Sequence, residues 1–127
     1  MIEINNLTSE KIDEKFLKRV AKIVLKGENR EKENISIAFV GSGTIKSLNK
    51  KYRKKNKATD VLSFGSINDL GLTEVVICPK VAKNEGMEKV VIHGILHILG
   101  YDHEKSVKEA KKMEKKEEEY LVRIFDK

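Results

Sequence analysis

All three histidines of this 127-residue chain fall in one window, His93-Gly-Ile-Leu-His97-Ile-Leu-Gly-Tyr-Asp-His103. Residues four apart on a helix stand one above the other, about 5–6 Å between Cβ atoms, so His93 and His97 share a face. Two imidazoles so placed can reach one ion at the about 2.0–2.1 Å of a Zn–N bond. A helix that ran on would carry position 103 away, but Gly100 permits a reversal that returns His103 as a third ligand. Three neutral nitrogens suit zinc, one ion per chain, or another divalent first-row metal. Such a set leaves a fourth position for water, as catalytic zinc sites do and structural ones do not.

The helix that must carry this pair is apolar on nearly every side, through Val90, Val91, Ile92, Ile95, Leu96, Ile98 and Leu99. That pattern places it in the interior, where imidazoles need partners. The histidine spacing also fits zinc peptidases of the H-E-x-x-H-x-x-G-x-x-H type. Here Gly94 stands where such an enzyme carries its general-base glutamate, and no carboxylate lies between His93 and His97.

A second constellation precedes the histidines. Between Lys46 and Lys57 there are seven basic residues and no acid. Lys50, Lys51, Arg53, Lys54, Lys55 and Lys57 are candidates for a positive groove that tracks a single nucleic-acid strand. The plainer reading is a solvated lysine-rich face. Arg53 differs from its neighbours because its planar fork can grip a phosphate bidentately. Tyr52 has the chemistry to stack on a base, but it shares a stripe with Ile45 and Leu48, which favours core packing. Thr59 and Asp60 read as contacts to that strand or as groups orienting a histidine, and equally as a plain turn before a β-strand. Asp102 is a candidate hydrogen-bond partner for a ligand imidazole or simply the shaper of a turn. Cys78 reads as a buried, inert thiol.

The elements that position these residues follow from periodicity. Alternation marks strands at Ile2–Ile4, Ile35–Phe39, Asp60–Ile67 and Glu74–Cys78, with a turn at Asn68–Gly71. Helical spacing runs from Ile12 to Val24, capped by Thr8 or Ser9 and stopped at Gly27. A second helix follows Ser42 as its cap, and Pro79 opens a short third one that breaks at Gly86. The histidine helix runs from Met87 to Leu99. Val107, Ala110, Met113, Tyr120, Leu121 and Ile124 stripe a Lys/Glu-rich terminal helix. This order predicts an α+β fold: a small mixed sheet of about four strands packed with helices, one of them central and carrying the histidines.

Composition narrows the class. One domain over residues 1–127 is expected at this length. Charged residues make up 36% and hydrophobic residues 39%, with a net charge of +6, which argues against wholesale disorder. A single cysteine excludes an intramolecular disulfide framework. The start, MIEINNLTSE, shows no basic head before an apolar run, and no stretch approaches the about 20 apolar residues of a membrane span. A cytoplasmic protein is expected.

The motif HGILHILGYDH resembles the signature of the YbeY family of metal-dependent endoribonucleases, which act in ribosomal RNA maturation. Leu48-Asn-Lys-Lys-Tyr-Arg53 and Thr59-Asp-Val-Leu-Ser-Phe64 are similar to that family's L-N-x-x-Y-R and T-D-V-L-S-F elements, and Val76-Ile-Cys-Pro79 to a third. The resemblance implies a metal, most often zinc, at His93, His97 and His103, and a functional arginine at Arg53. It further implies cleavage of single-stranded RNA and work on the small ribosomal subunit, at the 3′ end of 16S rRNA. The chain departs from the family at Ala58, where proline is common, and at Thr73-Glu74, where Gly-Asp is frequent. Its segment between Pro79 and His93 is shorter. The reading is a metal-dependent, single-strand endoribonuclease with Arg53 and His93 as catalytic candidates, and with no DNA or membrane partner. Its rivals are a zincin-like metallopeptidase and a non-catalytic, ribosome-associated RNA-binding module with a structural metal.

Overall fold

In a computed structural model, which describes residues 1–64 and 73–126, strands and helices follow the order β1 (Ile2–Asn6), α1 (Glu14–Gly27), β2 (Ile35–Phe39), α2 (Ser42–Arg53), β3 (Val61–Phe64), β4 (Thr73–Ile77), α3 (Pro79–Ala82), α4 (Met87–Ile98) and α5 (Val107–Phe125). The sheet order is β1-β2-β4-β3. β1 and β4 flank β2 in parallel, with Ile4 opposite Ile37 and Ile37 opposite Val75. β3 closes the edge antiparallel, Leu62 opposite Val76. The expected α+β fold with a small mixed sheet is therefore present.

Side chains alternate between the faces of a strand, and here both faces are covered. Ile35, Ile37 and Phe39 of β2 and Val75 and Ile77 of β4 join Leu17, Val20 and Val24 of α1 and Val91, Ile92 and Ile95 of α4 in the main core. The intervening Val76, with Leu62, meets Ile45 of α2 and the buried Cys78 in a smaller core on the opposite face. The sheet is thus sandwiched between α2 on one side and α1, α4 and α5 on the other.

Local chemistry shifted several boundaries. Thr8 and Ser9 do not cap α1: Thr8 is already engaged with Asn6, its N–H donating to Asn6 Oδ1 at 3.0 Å while its hydroxyl accepts from Glu10 N–H at 3.1 Å. Asp13 caps instead, its Oδ1 accepting from Phe16 N–H at 3.1 Å. Ser42 is the first helical residue of α2 rather than its cap, which is Gly41. β3 begins at Val61, one residue into the expected strand, and is described as far as Phe64. The remainder of that strand and the Asn68–Gly71 turn lie outside the described residues. Pro79 does open α3. In α5, Met113, Tyr120 and Ile124 are buried as the stripe requires, whereas Val107 is exposed because it precedes the point where the helix reaches the core.

Candidate active site

α4 meets the sheet so closely at Gly94 that a Cβ there would stand 2.7 Å from Val75 Cγ1 and 3.2 Å from Val61 Cγ2. The Ser63 hydroxyl donates to the Gly94 carbonyl at 3.0 Å and ties the helix to β3. This contact fixes the depth of the helix and therefore the height of the residues flanking it. It also leaves no room for a glutamate at position 94, so the peptidase reading lacks its base for a steric as well as a sequence reason.

Val90, Val91, Ile92, Ile95 and Leu96 of α4 are buried, with Met87 and Ile98 partly so, but its histidines are not in the interior where the apolar pattern places them. His93 is half-buried and His97 exposed, both on the wall of an open cleft of about 1540 Å³. The α4 terminus then reverses. Gly100, at φ +111°, donates to His97 O at 3.2 Å and Tyr101 N–H donates to Leu96 O at 3.1 Å. This is the paired bond pattern of a helix ended by a left-handed glycine. The returning chain brings the His103 ring centroid to 4.9 Å from that of His93 and 6.3 Å from that of His97.

Rings sharing one tetrahedral ion through about 2.1 Å bonds have centroids about 5 Å apart. The His93–His103 pair meets that spacing, and His97 stands about an ångström too far out. As they stand, no three histidine, cysteine or carboxylate side chains among the described residues form a set that could hold a metal ion. The donor chemistry nevertheless fits a borderline first-row ion. His97 Nδ1 lies 2.8 Å from the Tyr101 carbonyl, which can only accept, so Nδ1 carries the proton and Nε2 offers its lone pair. His93 Nδ1 likewise donates to Glu117 Oε1 at 2.7 Å. That hydrogen bond is the largest influence on His93 and raises its pKa above the ordinary value; burial opposes it, and the charges of Glu117, Asp60 and Glu85 add to it.

Arg53, the last residue of α2, reaches the same cleft from the other side. Its Nη2 donates to both carboxylate oxygens of Glu104, at 3.3 and 3.5 Å, and Glu104 Oε1 lies 3.9 Å from His103 Nε2. Lys55 and Lys57 line the cleft with it, whereas Lys50, Lys51 and Lys54 are exposed outside that lining. Tyr52 is not a core residue: it is 57% exposed on the cleft wall, its ring edge-on to Phe64 at 5.2 Å. Lys51 Nζ sits 5.2 Å from the Tyr52 ring centroid. Asp60 also faces the cleft, and its carboxyl group beside that of Glu85 raises the pKa of Glu85. Asp102 shapes the turn, its Oδ1 accepting from Glu104 N–H at 3.0 Å.

Three carboxylates of this site, Glu85, Glu104 and Glu117, were absent from the sequence reading. Glu117 did leave a trace: it lies four residues after Met113 and three before Tyr120, an acid inside the buried stripe of α5.

A family model described as Endoribonuclease YbeY matches residues 3–124. A protein of Thermodesulfovibrio yellowstonii named Endoribonuclease YbeY is 40% identical over 122 residues, covering 84% of this chain and 76% of that protein. One of the same name from Persephonella marina is 37% identical over 135 residues, covering 93% and 88%. The solution structure of a Thermotoga maritima protein superposes with a TM-score of 0.63 at 30% identity, covering 98% of this chain and 89% of that one.

Proposed function

This chain belongs to the YbeY endoribonuclease family, and from that premise we propose that it cleaves single-stranded RNA with the help of one divalent ion, zinc by its donor set, held by His93, His97 and His103. Its proposed task is maturation of ribosomal RNA, at the 3′ end of 16S rRNA on the small subunit, which makes it a cytoplasmic protein. No helix among the described residues is long and apolar enough to cross a membrane.

The observation that carries this reading is the convergence of three imidazoles, two with Nδ1 committed elsewhere, on a cleft that also holds Arg53. When bound, the ion would supply a Lewis acid for the scissile phosphate or for the attacking oxygen. The residues do the rest. His93 and His97 present Nε2 lone pairs, because a carboxylate and a carbonyl hold their Nδ1 protons. Arg53 offers its guanidinium to the charge that grows on the phosphate, where a preorganised cation is worth most. Its bond to Glu104 is no obstacle. Both side chains are half-exposed, and such pairs contribute only about 0–1 kcal/mol. Lys55 and Lys57 track the strand, and Tyr52 gives it a surface to stack on.

The test is cleavage of a labelled single-stranded RNA and of the same sequence as a duplex, with and without a chelator. Cutting confined to the single strand, abolished by chelation while circular dichroism keeps the helical signal, supports the proposal. Collapse of the fold on chelation would mean a structural metal instead. Cutting untouched by a chelator that strips the protein of metal would end the proposal. Products ending in a 2′,3′-cyclic phosphate would identify the 2′-hydroxyl as the attacking group, and a 3′-hydroxyl paired with a 5′-phosphate would identify water.

A further inference from the structure

Glu117 is a carboxylate where α5 should be apolar. It lies on the face that buries Met113, Tyr120 and Ile124 against the core, and its side chain is 26% exposed. A half-buried charge is costly to keep without a partner. Among the described residues, its hydrogen-bond partner is His93 Nδ1, 24 residues earlier in the chain. We propose that Glu117 is the positioning residue for His93, a group on α5 that fixes the ring orientation and tautomer of an imidazole on α4.

A free histidine side chain samples both neutral tautomers and both ring flips, and only part of that population points an Nε2 lone pair at the cleft. A 2.7 Å bond to a carboxylate selects the Nδ1–H form and holds the ring in one orientation. His97 is handled by a different device, the Tyr101 carbonyl of the returning turn, so the two ligands of α4 are oriented from two separate elements. The α5 helix then becomes part of the site rather than a cover for the core. Removing such a partner costs about 10–100-fold in metal affinity where it has been separated from other effects.

This inference rests on the proposed metal site, and its experiment reads that site apart from RNA cleavage. Zinc affinity is measured by competition with a chromophoric chelator for the unmodified protein, Glu117→Gln and Glu117→Ala. In parallel, nitrogen-15 NMR reads the His93 tautomer in the metal-free proteins at a pH where the ring is neutral. The Gln oxygen still accepts from Nδ1, so Glu117→Gln keeps the tautomer and loses less affinity than Glu117→Ala, which falls by about 10–100-fold and mixes the tautomers. An Ala variant with unchanged affinity and tautomer would overturn the inference. So would a Gln variant as weak as Ala with the tautomer intact, since Glu117 would then be a ligand itself. If the unmodified protein takes up no zinc, the metal reading fails, and the NMR arm alone decides the positioning role. Should Glu117→Ala fail to fold, the Gln variant and its tautomer carry the decision.

Discussion

Gly94→Ala sets two opposed effects against each other, and the structure decides the sign. In an exposed helix interior, replacing glycine by alanine gains about 1 kcal/mol. At position 94 the new methyl would meet Val75 Cγ1 at 2.7 Å and Val61 Cγ2 at 3.2 Å. Val75 is fully buried, and valine has little freedom at χ1, so neither neighbour can swing aside cheaply. Overpacking of this kind costs about 1–3 kcal/mol, and the stiffness of the neighbours puts it at the upper end. The net expectation is a loss of about 1–2 kcal/mol after subtracting the helix gain. Unfolding a chain of this length releases about 270 cal/mol/K, at about 2.1 cal/mol/K per residue, so Tm falls by about 4–8 °C. α4 must also move off the sheet, carrying the flanking His93 with it, so zinc affinity falls more than stability alone explains. Differential scanning calorimetry beside a zinc titration measures both. A Tm that rises, as for an exposed helical glycine, would refute the close-approach argument and the account of how the histidines are placed.

Other outcomes follow from the same geometry. Arg53→Lys keeps the charge but loses the fork, so single-turnover cleavage falls by more than about tenfold while RNA affinity changes less than about threefold; equal losses would make Arg53 only an anchor. Tyr52→Ala weakens single-strand RNA binding by about 1–3 kcal/mol, or about 5–150-fold, and leaves Tm nearly unchanged because the ring is exposed; unchanged affinity in a fluorescence titration would remove it from the binding surface. Tyr120 has its pKa raised above the ordinary value near 10 by burial, then by its hydrogen bond to Glu28 and the charge of that carboxylate, with Arg123 opposing. A raised folded-state pKa gives stability that is complete below about pH 10 and lost as pH climbs toward the folded value. Urea unfolding across that alkaline range should show the decline, and Tyr120→Phe should reduce it to the share of Tyr101, whose pKa burial and then a hydrogen bond to Glu28 also raise.

What was legible in the sequence was local. The helix that carries His93 and His97, the reversal at Gly100 and the proline opening α3 each depend on a few adjacent residues, and each is present in the fold. Misreadings arose where local signals competed. Thr8, Ser9 and Asp13 are all good caps; Thr8 is engaged with Asn6, and Asp13 starts α1. Tyr52 fits the stripe of Ile45 and Leu48, but α2 covers a small core and turns its last turn outward to the cleft. The apolar run of α4 implied buried histidines, because a one-dimensional pattern cannot show which side of a helix borders a cleft. Partners distant in the chain were hardest to see. Glu104 meets Arg53 across 51 residues, and Glu117 sits in a helix crowded with Lys and Glu, where one useful acid looks like its neighbours.

Metal stoichiometry tests the three-histidine site most directly. Elemental analysis of the purified protein, with RNA cleavage assayed on the same sample, should give close to one zinc or other first-row ion per chain, together with activity. His97→Ala should hold well under one ion per chain, keep its helical signal and cut nothing. A correctly folded His97→Ala protein, free of metal yet cleaving RNA at the unmodified rate, would contradict the metal reading.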